Sequence, residues 1–400
     1  MRNTNKKGFT IVELVVVVAV IAILAAVLIP TFSGIIAKAN LSADQKAVST
    51  MNTAIAMEGA ETLEEAMAAL EKHNINAEKL IPVSKGYSFI WNDDTNKIEL
   101  VEGRVDESVN EAKKNIAITV NSADALADAI ADDLKYIKLE ADVVLEEKIT
   151  VPANASTTLD LAGKDFDASA LSGRPFEMSD GSSIIINATD SDIKSGRYGL
   201  VNISNDVSAS VTINGGNVTG SLDNGSFFKV VGGDADKVSI TLNNVNITDN
   251  ANTATTGNTE QLNRIVNANA FYGELTLVVK GGTYTALAGF TGGGENSKFN
   301  FEGVTFNTKG LATEISRTAT FNNCIFNVGD VSICTVPAAA VVVSYGGVAT
   351  VTGCTITSNK YSYLVLNTGG EIKYSNTTVN KGSEYMLPLN DGVTGSITQQ

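Results

Sequence analysis

Carboxylates, arginines and thiols are the residues of this 400-residue chain whose types and spacing bear on chemistry. Acids fall in pairs two apart, Asp165 with Asp167, Asp190 with Asp192 and Asp234 with Asp236, while Arg174, Arg197, Arg264 and Arg317 are scattered through the same region. A Ca²⁺-dependent lyase would need clustered carboxylates for the ion and a basic group to take the proton. Nothing in the spacing sets an arginine against an acid pair, and acids near strand ends and loops are usually solvated. No catalytic residue, metal ligand or cofactor is therefore assigned, and the chain is expected not to be an enzyme. His73 is the single histidine, so histidine-based metal or triad chemistry has nothing else to draw on. At a helix terminus it is expected to be structural. Cys324, Cys334 and Cys354 all lie late in the chain, which excludes the disulfide framework of a small secreted domain. One acid stands apart: Glu13, inside an apolar run from Phe9 to Ile29 that only it and Thr10 interrupt.

That run must be a helix. Roughly 20 apolar residues at about 1.5 Å rise are enough to cross a bilayer core of about 30 Å. A secretory signal would have a shorter apolar core followed by a small-residue cleavage site, which is not the pattern here. A carboxylate at that depth costs a few kcal/mol on insertion scales and calls for a partner. Pro30 removes a backbone donor and is expected to bend the helix. Beyond it Ile35, Ile36, Ala39, Val48, Met51, Ala54 and Ile55 recur at helical spacing, with Lys38, Asp44 and Lys46 among them. The pattern predicts one helix from about Phe9 to Met57, its first half in a membrane or filament core and its second half packed on a globular head.

With Lys6-Lys7-Gly8, Phe9, Thr10-Ile11-Val12-Glu13-Leu14 and Pro30, the stretch resembles the N-terminus of type IV pilins and pseudopilins. The resemblance implies a leader of residues 1–8, cut by a membrane peptidase between Gly8 and Phe9, with N-methylation of Phe9. It implies that Glu13 meets the terminal amine of a neighbouring subunit during assembly. A matching ammonium would relieve the buried carboxylate, so the physics agrees. The implied partners are a prepilin peptidase/methyltransferase, other pilin subunits, the inner-membrane assembly machinery and the membrane itself. The implied location is the bacterial cytoplasmic membrane for the precursor, then the cell surface or an extracellular filament.

The formal charge is −15, from 29 basic and 44 acidic residues. Loss of Arg2, Lys6 and Lys7 with the leader moves it to about −18. Phosphate contacts need clustered Lys and Arg, so nucleic acid is excluded as a partner of this subunit. The acidity serves solubility. Residues 58–114 read as a small α+β unit. Gly59 breaks the first helix, and Thr62-Leu63-Glu64-Glu65 has the capping-box pattern before a short helix ending near His73. Tyr87–Trp91 and Lys97–Gly103 flank a polar turn as a hairpin. Together with the long helix they make a reduced pilin-like head.

From about residue 115 the character changes. Ser122–Pro152 reads as an amphipathic helix followed by two Val- and Ile-rich strands. A degenerate repeat follows: apolar, any, apolar, any, Gly or Asn, any, any, apolar. It appears as LDLAGKDF (159–166), VTINGGNV (211–218), ITLNNVNI (240–247) and LVVKGGTY (277–284). It recurs as FNFEGVTF (299–306), ATFNNCIF (319–326), ATVTGCTI (349–356) and IKYSNTTV (372–379), with a weak copy at 184–191. The turn position holds Gly163, Gly215, Asn244, Gly281, Gly303, Asn323, Gly353 and Asn376, the residue types that accept left-handed backbone angles at low cost. Alternation, a tight turn and a second strand once per unit predict a parallel β-helix; a β-sandwich would show hairpin turns instead. The repeats resemble the right-handed β-helices of pectate-lyase-like surface proteins, cap included. The expected architecture is a long helix with a small α+β head, then a right-handed parallel β-helix over 115–400 with about ten coils, near 50 Å long at about 4.8 Å per coil. Cys324 and Cys354 each follow a turn residue in adjacent coils. They are either a reduced pair packed as small hydrophobes or a disulfide between coils, since coil spacing lies within the permitted Cα separation.

Three functions fit these features. One is a minor or tip pilin displaying the rod for adhesion to a surface polysaccharide or host ligand. The second is a pseudopilin of a secretion or DNA-uptake machine. The third is a membrane-tethered polysaccharide lyase or hydrolase, because that fold hosts such enzymes.

Overall fold

The computed structural model describes residues 11–75, 82–84, 87–92, 95–102, 117–234, 236–251, 258–259, 263–294, 296–366, 369–386 and 395–400; within 11–34 it describes backbone only, apart from Val18. Two compact units, 1–116 and 117–400, divide the chain.

In the first unit, α1 runs from Ile11 to Glu58, without a break at Pro30. Among the described residues no helix is long and apolar enough to cross a membrane. The apolar run assigned to the membrane falls where side chains lie outside the description. The second half of α1 packs on α2 (Leu63–Lys72) and on a hairpin of β1 (Tyr87–Asn92) and β2 (Lys97–Glu102). Met51, Ala54 and Ile55 of α1 are buried, as are Ala66, Met67, Leu70, Phe89, Trp91 and Ile98 of the elements it packs on. Thr62 caps α2, its hydroxyl accepting the Glu65 amide at 3.2 Å. Asn52 of α1 clamps β2: its Nδ2 donates to the Ile98 carbonyl and its Oδ1 accepts the Ile98 amide, both at 2.8 Å. Asp44, one of the charged residues among the apolar positions of α1, is turned inward. It is 2% exposed, and its carboxylate accepts the Val83 and Ser84 amides at 2.8 Å each, which satisfies the buried charge. His73 closes α2 and shares Glu58 with Lys72, at 3.0 Å and 2.6 Å, so its role is structural.

The second unit is a parallel β-helix with three faces. On the first face twelve strands, from Ala117–Val120 to Ser396–Gln399, each pair in parallel with the next. The eleven from Tyr136–Leu139 onward leave ten intervals, hence ten coils. The second face carries the strand after the Gly/Asn turn, as in Asn217–Gly220, Asn246–Asp249 and Thr283–Ala286. The third carries strands such as Ser226–Gly232, Arg264–Phe271, Ala288–Gly292 and Thr313–Ile315. Alternation places every other residue inward. Ile184, Val211, Ile240, Leu277 and Phe299 form one buried column in register, Ile186, Ile213, Leu242, Val279 and Phe301 another. Register then dictates ring stacking. Phe301 pairs with Phe321 and their rings stack at 4.8 Å and 1°; Phe306 pairs with Phe326 and theirs stack at 4.7 Å and 6°. Those separations are the strand spacing itself. Outside, Asn187, Asn214 and Asn243 link side chain to side chain at 2.8 Å per step.

All eight turn positions have positive φ, from 49° at Asn376 to 76° at Gly163. The weak copy is a full coil with a longer turn, Ala188–Ser191, whose left-handed residue is Asp190 at φ 60°. Helix α3 (Ala123–Ala131), capped by Ser122, buries Leu126, Ala129 and Ile130 at the start of the stack. After it come three short strands rather than the expected two, at 136–139, 143–144 and 149–151. The first coil must visit three faces within this stretch, so the Val- and Ile-rich run is broken at each corner. Near the other end, the third-face strand Ala339–Val343 is buried on both sides. The segment around Ser332–Ile333, paired with Asn258–Thr259, covers its outer surface with Val331 and Ile333.

Candidate functional site

Gly8 and Phe9 lie outside the described residues; Glu13 and Pro30 lie on α1, with side chains outside the description. Five of the six paired acids serve the coil turns, Asp190 through its left-handed backbone, while Asp234 lies elsewhere. Asp165 accepts the Asp192 amide at 3.2 Å, and Asp192 accepts Asn217 Nδ2 at 3.0 Å. Asp167 binds Lys194 Nζ at 2.8 Å and the Ser169 hydroxyl at 2.6 Å. Burial alone would raise that carboxyl, but these bonds hold it down at about 2. Asp236 is buried and accepts the Gly233 amide at 2.7 Å. Among the arginines, Arg197 pairs with Asp223 and stacks over Tyr198 at 5.7 Å. Arg174 lies partly buried on the Ser226 carbonyl, and burial lowers its guanidinium to about 10 despite nearby Glu177. The described residues hold no group of three or more metal-ligating side chains.

The structure does gather one constellation. Where the third face turns toward the first, five successive coils enclose a cleft of about 590 Å³. Asp234, Asn269, Tyr272, Glu314, Ser316, Arg317 and Tyr345 line it. Tyr272 and Tyr345 are 62% and 68% exposed, large rings left in solvent at its edge. Arg317 is fixed across the turn, its guanidinium donating to the carbonyls of Ser316 at 2.8 Å and Tyr345 at 2.9 Å. Glu314 is partly buried. Burial raises its carboxyl, and the charge of Arg264, itself 4% exposed, works the other way. The cleft floor is backbone. Gly292 and Gly293 have φ of 102° and 108°, and a Cβ on Gly292 would meet the Ala268 carbonyl carbon at 2.2 Å. Only glycine lets the chain pass there. Sequence reading placed Asp234 in an acid pair and Arg317 among scattered arginines, missed Asn269, Glu314 and Ser316, and did not bring any of the cleft residues together. The usable signal was the glycine run 292–294 beside exposed-type aromatics.

Chemically, the cleft offers two ring faces, carboxylates, an amide and a guanidinium. Such a mixture suits binding by stacking and hydrogen bonding. No residue pair in it forms a nucleophile–base arrangement.

Comparison with known families matches residues 3–29 to the prokaryotic N-terminal methylation motif. No curated protein matches the chain. Among solved structures, L. reuteri 53608 SRRP is similar at 14% identity and a TM-score of 0.37, over 70% of this chain and 99% of that one. At that level it bears on none of the conclusions below. The chain thus carries a prepilin-type N-terminus ahead of a parallel β-helix.

Proposed function

We propose that this is a subunit of a type IV pilin-like assembly that displays its β-helix at the cell surface for adhesion. The observation that supports the reading is the methylation motif at residues 3–29 opening a 48-residue helix, ahead of a folded rod. In this reading Gly8 and Phe9 are the cleavage site, Phe9 is methylated, and the helix holds the precursor in the cytoplasmic membrane before passing into a filament of pilins. A head of this size would crowd every position of a tightly packed filament, so the subunit is a minor or tip component. Dominance of this chain in purified filaments would refute that.

The rod presents a binding surface and does no catalysis. Asp165, Asp167, Asp192 and Asp236 are engaged in turns, and the cleft edged by Tyr272 and Tyr345 is the contact region for a surface glycan or other host ligand. Release of unsaturated products or reducing ends from acidic polysaccharides by the protein would overturn the non-catalytic reading. The decisive experiment is mass spectrometry of the N-terminal peptide from sheared surface material and from membranes. A methylated chain beginning at Phe9 in the sheared fraction is expected. The same end confined to membranes would transfer the protein to a short secretion or DNA-uptake pseudopilus, and an intact Met1 end in both would remove the pilin reading.

A further inference from the structure

Two sulfurs meet inside the coil stack. Cys324 and Cys354 follow the turn residues Asn323 and Gly353, between the register pairs Asn322 with Thr352 and Ile325 with Thr355. They therefore stand directly opposite each other on adjacent coils. Each is 1% exposed, and both are thiols in the structure. The Cys324 amide donates to Cys354 Sγ at 3.3 Å. Their thiols also lie within hydrogen-bonding reach of the carbonyls of Phe301 and Phe321, at 3.6 Å and 3.5 Å. The equivalent positions of earlier coils hold Gly216, Val245, Gly282 and Val304, so the slot takes small or apolar groups and needs no sulfur for packing. Cysteine at two consecutive levels is what sets this place apart.

We infer that Cys324 and Cys354 are a redox couple that closes to a disulfide between coils, stapling the last third of the rod once the chain leaves the reducing cytoplasm. Coil spacing of about 4.8 Å falls inside the Cα separations that disulfides span, about 4.4–6.8 Å. Both residues sit in turns between strands already locked in register, so closure requires side-chain rotation and leaves the ladder intact. The oxidant is a disulfide, either a small one or that of a thiol oxidoreductase. The hydrogen bond between the thiols pushes Cys324 up and Cys354 down, which favours Cys354 as the sulfur that gives its proton to solvent and attacks as the thiolate. That thiolate attacks one oxidant sulfur, forming a mixed disulfide and expelling the other as a thiolate. Cys324 then gives its proton to solvent and attacks Cys354 Sγ, expelling the second. The protein loses two electrons and two protons, and the oxidant's disulfide becomes two thiols. Because the finished slot buries both sulfurs, exchange belongs to the moment when these coils stack. Cys334, exposed on the covering segment, is outside the couple and stays a thiol.

The test uses the full-length chain extracted in detergent from its cells, without reductant and with thiols trapped by acid. It is then unfolded and alkylated. One alkyl group on Cys334 is expected, rising to three after reduction, with a cross-linked peptide pair containing Cys324 and Cys354. Thermal unfolding of the rod should fall by roughly 5–10 °C on reduction, because the staple closes a loop of some thirty residues. The same reductant should leave a Cys324→Ser variant unchanged. Three alkyl groups before reduction, or a cross-link that includes Cys334, would overturn the inference.

Discussion

Inside the coil stack the ring of Tyr284 occupies a place that Phe306 and Phe326 fill in the next two coils. It is 0% exposed, and its hydroxyl has no protein hydrogen-bond partner. Burial pushes this phenol well above its usual range. The ring contributes packing against Phe290 at 5.3 Å, whereas the oxygen costs desolvation with nothing in return. Tyr284→Phe should therefore raise stability by about 1 kcal/mol, read as a later midpoint in denaturant at unchanged slope. A loss of stability would mean that the oxygen is satisfied inside the rod. Asp167 makes the opposite case. Its folded carboxyl lies near 2, below an ordinary Asp, so its contribution is complete above about pH 4 and is lost as pH falls toward 2. With Lys194 half exposed, solvent screening limits the contribution to about 0.5–1 kcal/mol. Asp167→Asn should thus unfold earlier than the parent at pH 6 and together with it at pH 2. An equal gap at both pH values would place the effect in packing rather than charge.

Elements here are set by turns as much as by strands. Gly353 sits at φ 64°, and a Cβ there would meet Asn323 Oδ1, the turn residue of the coil before, at 2.5 Å. Gly353→Ala combines backbone strain with that contact and should cost about 1–2 kcal/mol, while Asn323→Gly, which only widens the choice of angles, should stay within about 0.5–1 kcal/mol of the parent. Equal losses at both sites would deny that the left-handed angle governs the turn. These turns also explain what could be read in advance. The first-face strand, the Gly/Asn turn and the second-face strand fall within one eight-residue pattern, so the repeat, its inward columns and the Cys324–Cys354 level were legible. The third face was not, because the connections leading to it vary in length, Gly220–Gly225 in one coil, Asp249–Asn263 in the next and Val328–Ala338 later. Register across variable loops is a property of the folded stack alone. Glu314 and Asn269 therefore carried no signal, and Tyr272 and Tyr345, separated by 73 positions, met only in space. The burial of Asp44 was not legible for a related reason: helical spacing reports which residues share a side of a helix, but not that a loop returns two amides to one of them.

At the scale of the whole molecule, the β-helix and the head each have their own core. In the proposed assembly, an acid that interrupts an apolar run of this length finds its partner on a neighbouring subunit. The processed terminus of a neighbouring copy or pilin would supply it, since cutting before Phe9 would create an ammonium four residues ahead of Glu13 in the sequence. Two such helices shifted along one another bring the unlike charges together in a medium that penalises either one alone. Glu13→Ala leaves the cleavage site intact, so the variant should still begin at Phe9, and its rod should unfold at the parent's temperature. Its share of sheared surface material should nevertheless fall at least about tenfold, because an ammonium left unpaired in that setting costs several kcal/mol against about 1.4 kcal/mol for each factor of ten. Glu13→Gln separates charge from shape: it keeps the volume and a carbonyl acceptor, and should recover only a small part of the loss. Normal incorporation of the alanine variant would show that assembly of this subunit rests on helix packing, and that the buried acid has some other partner.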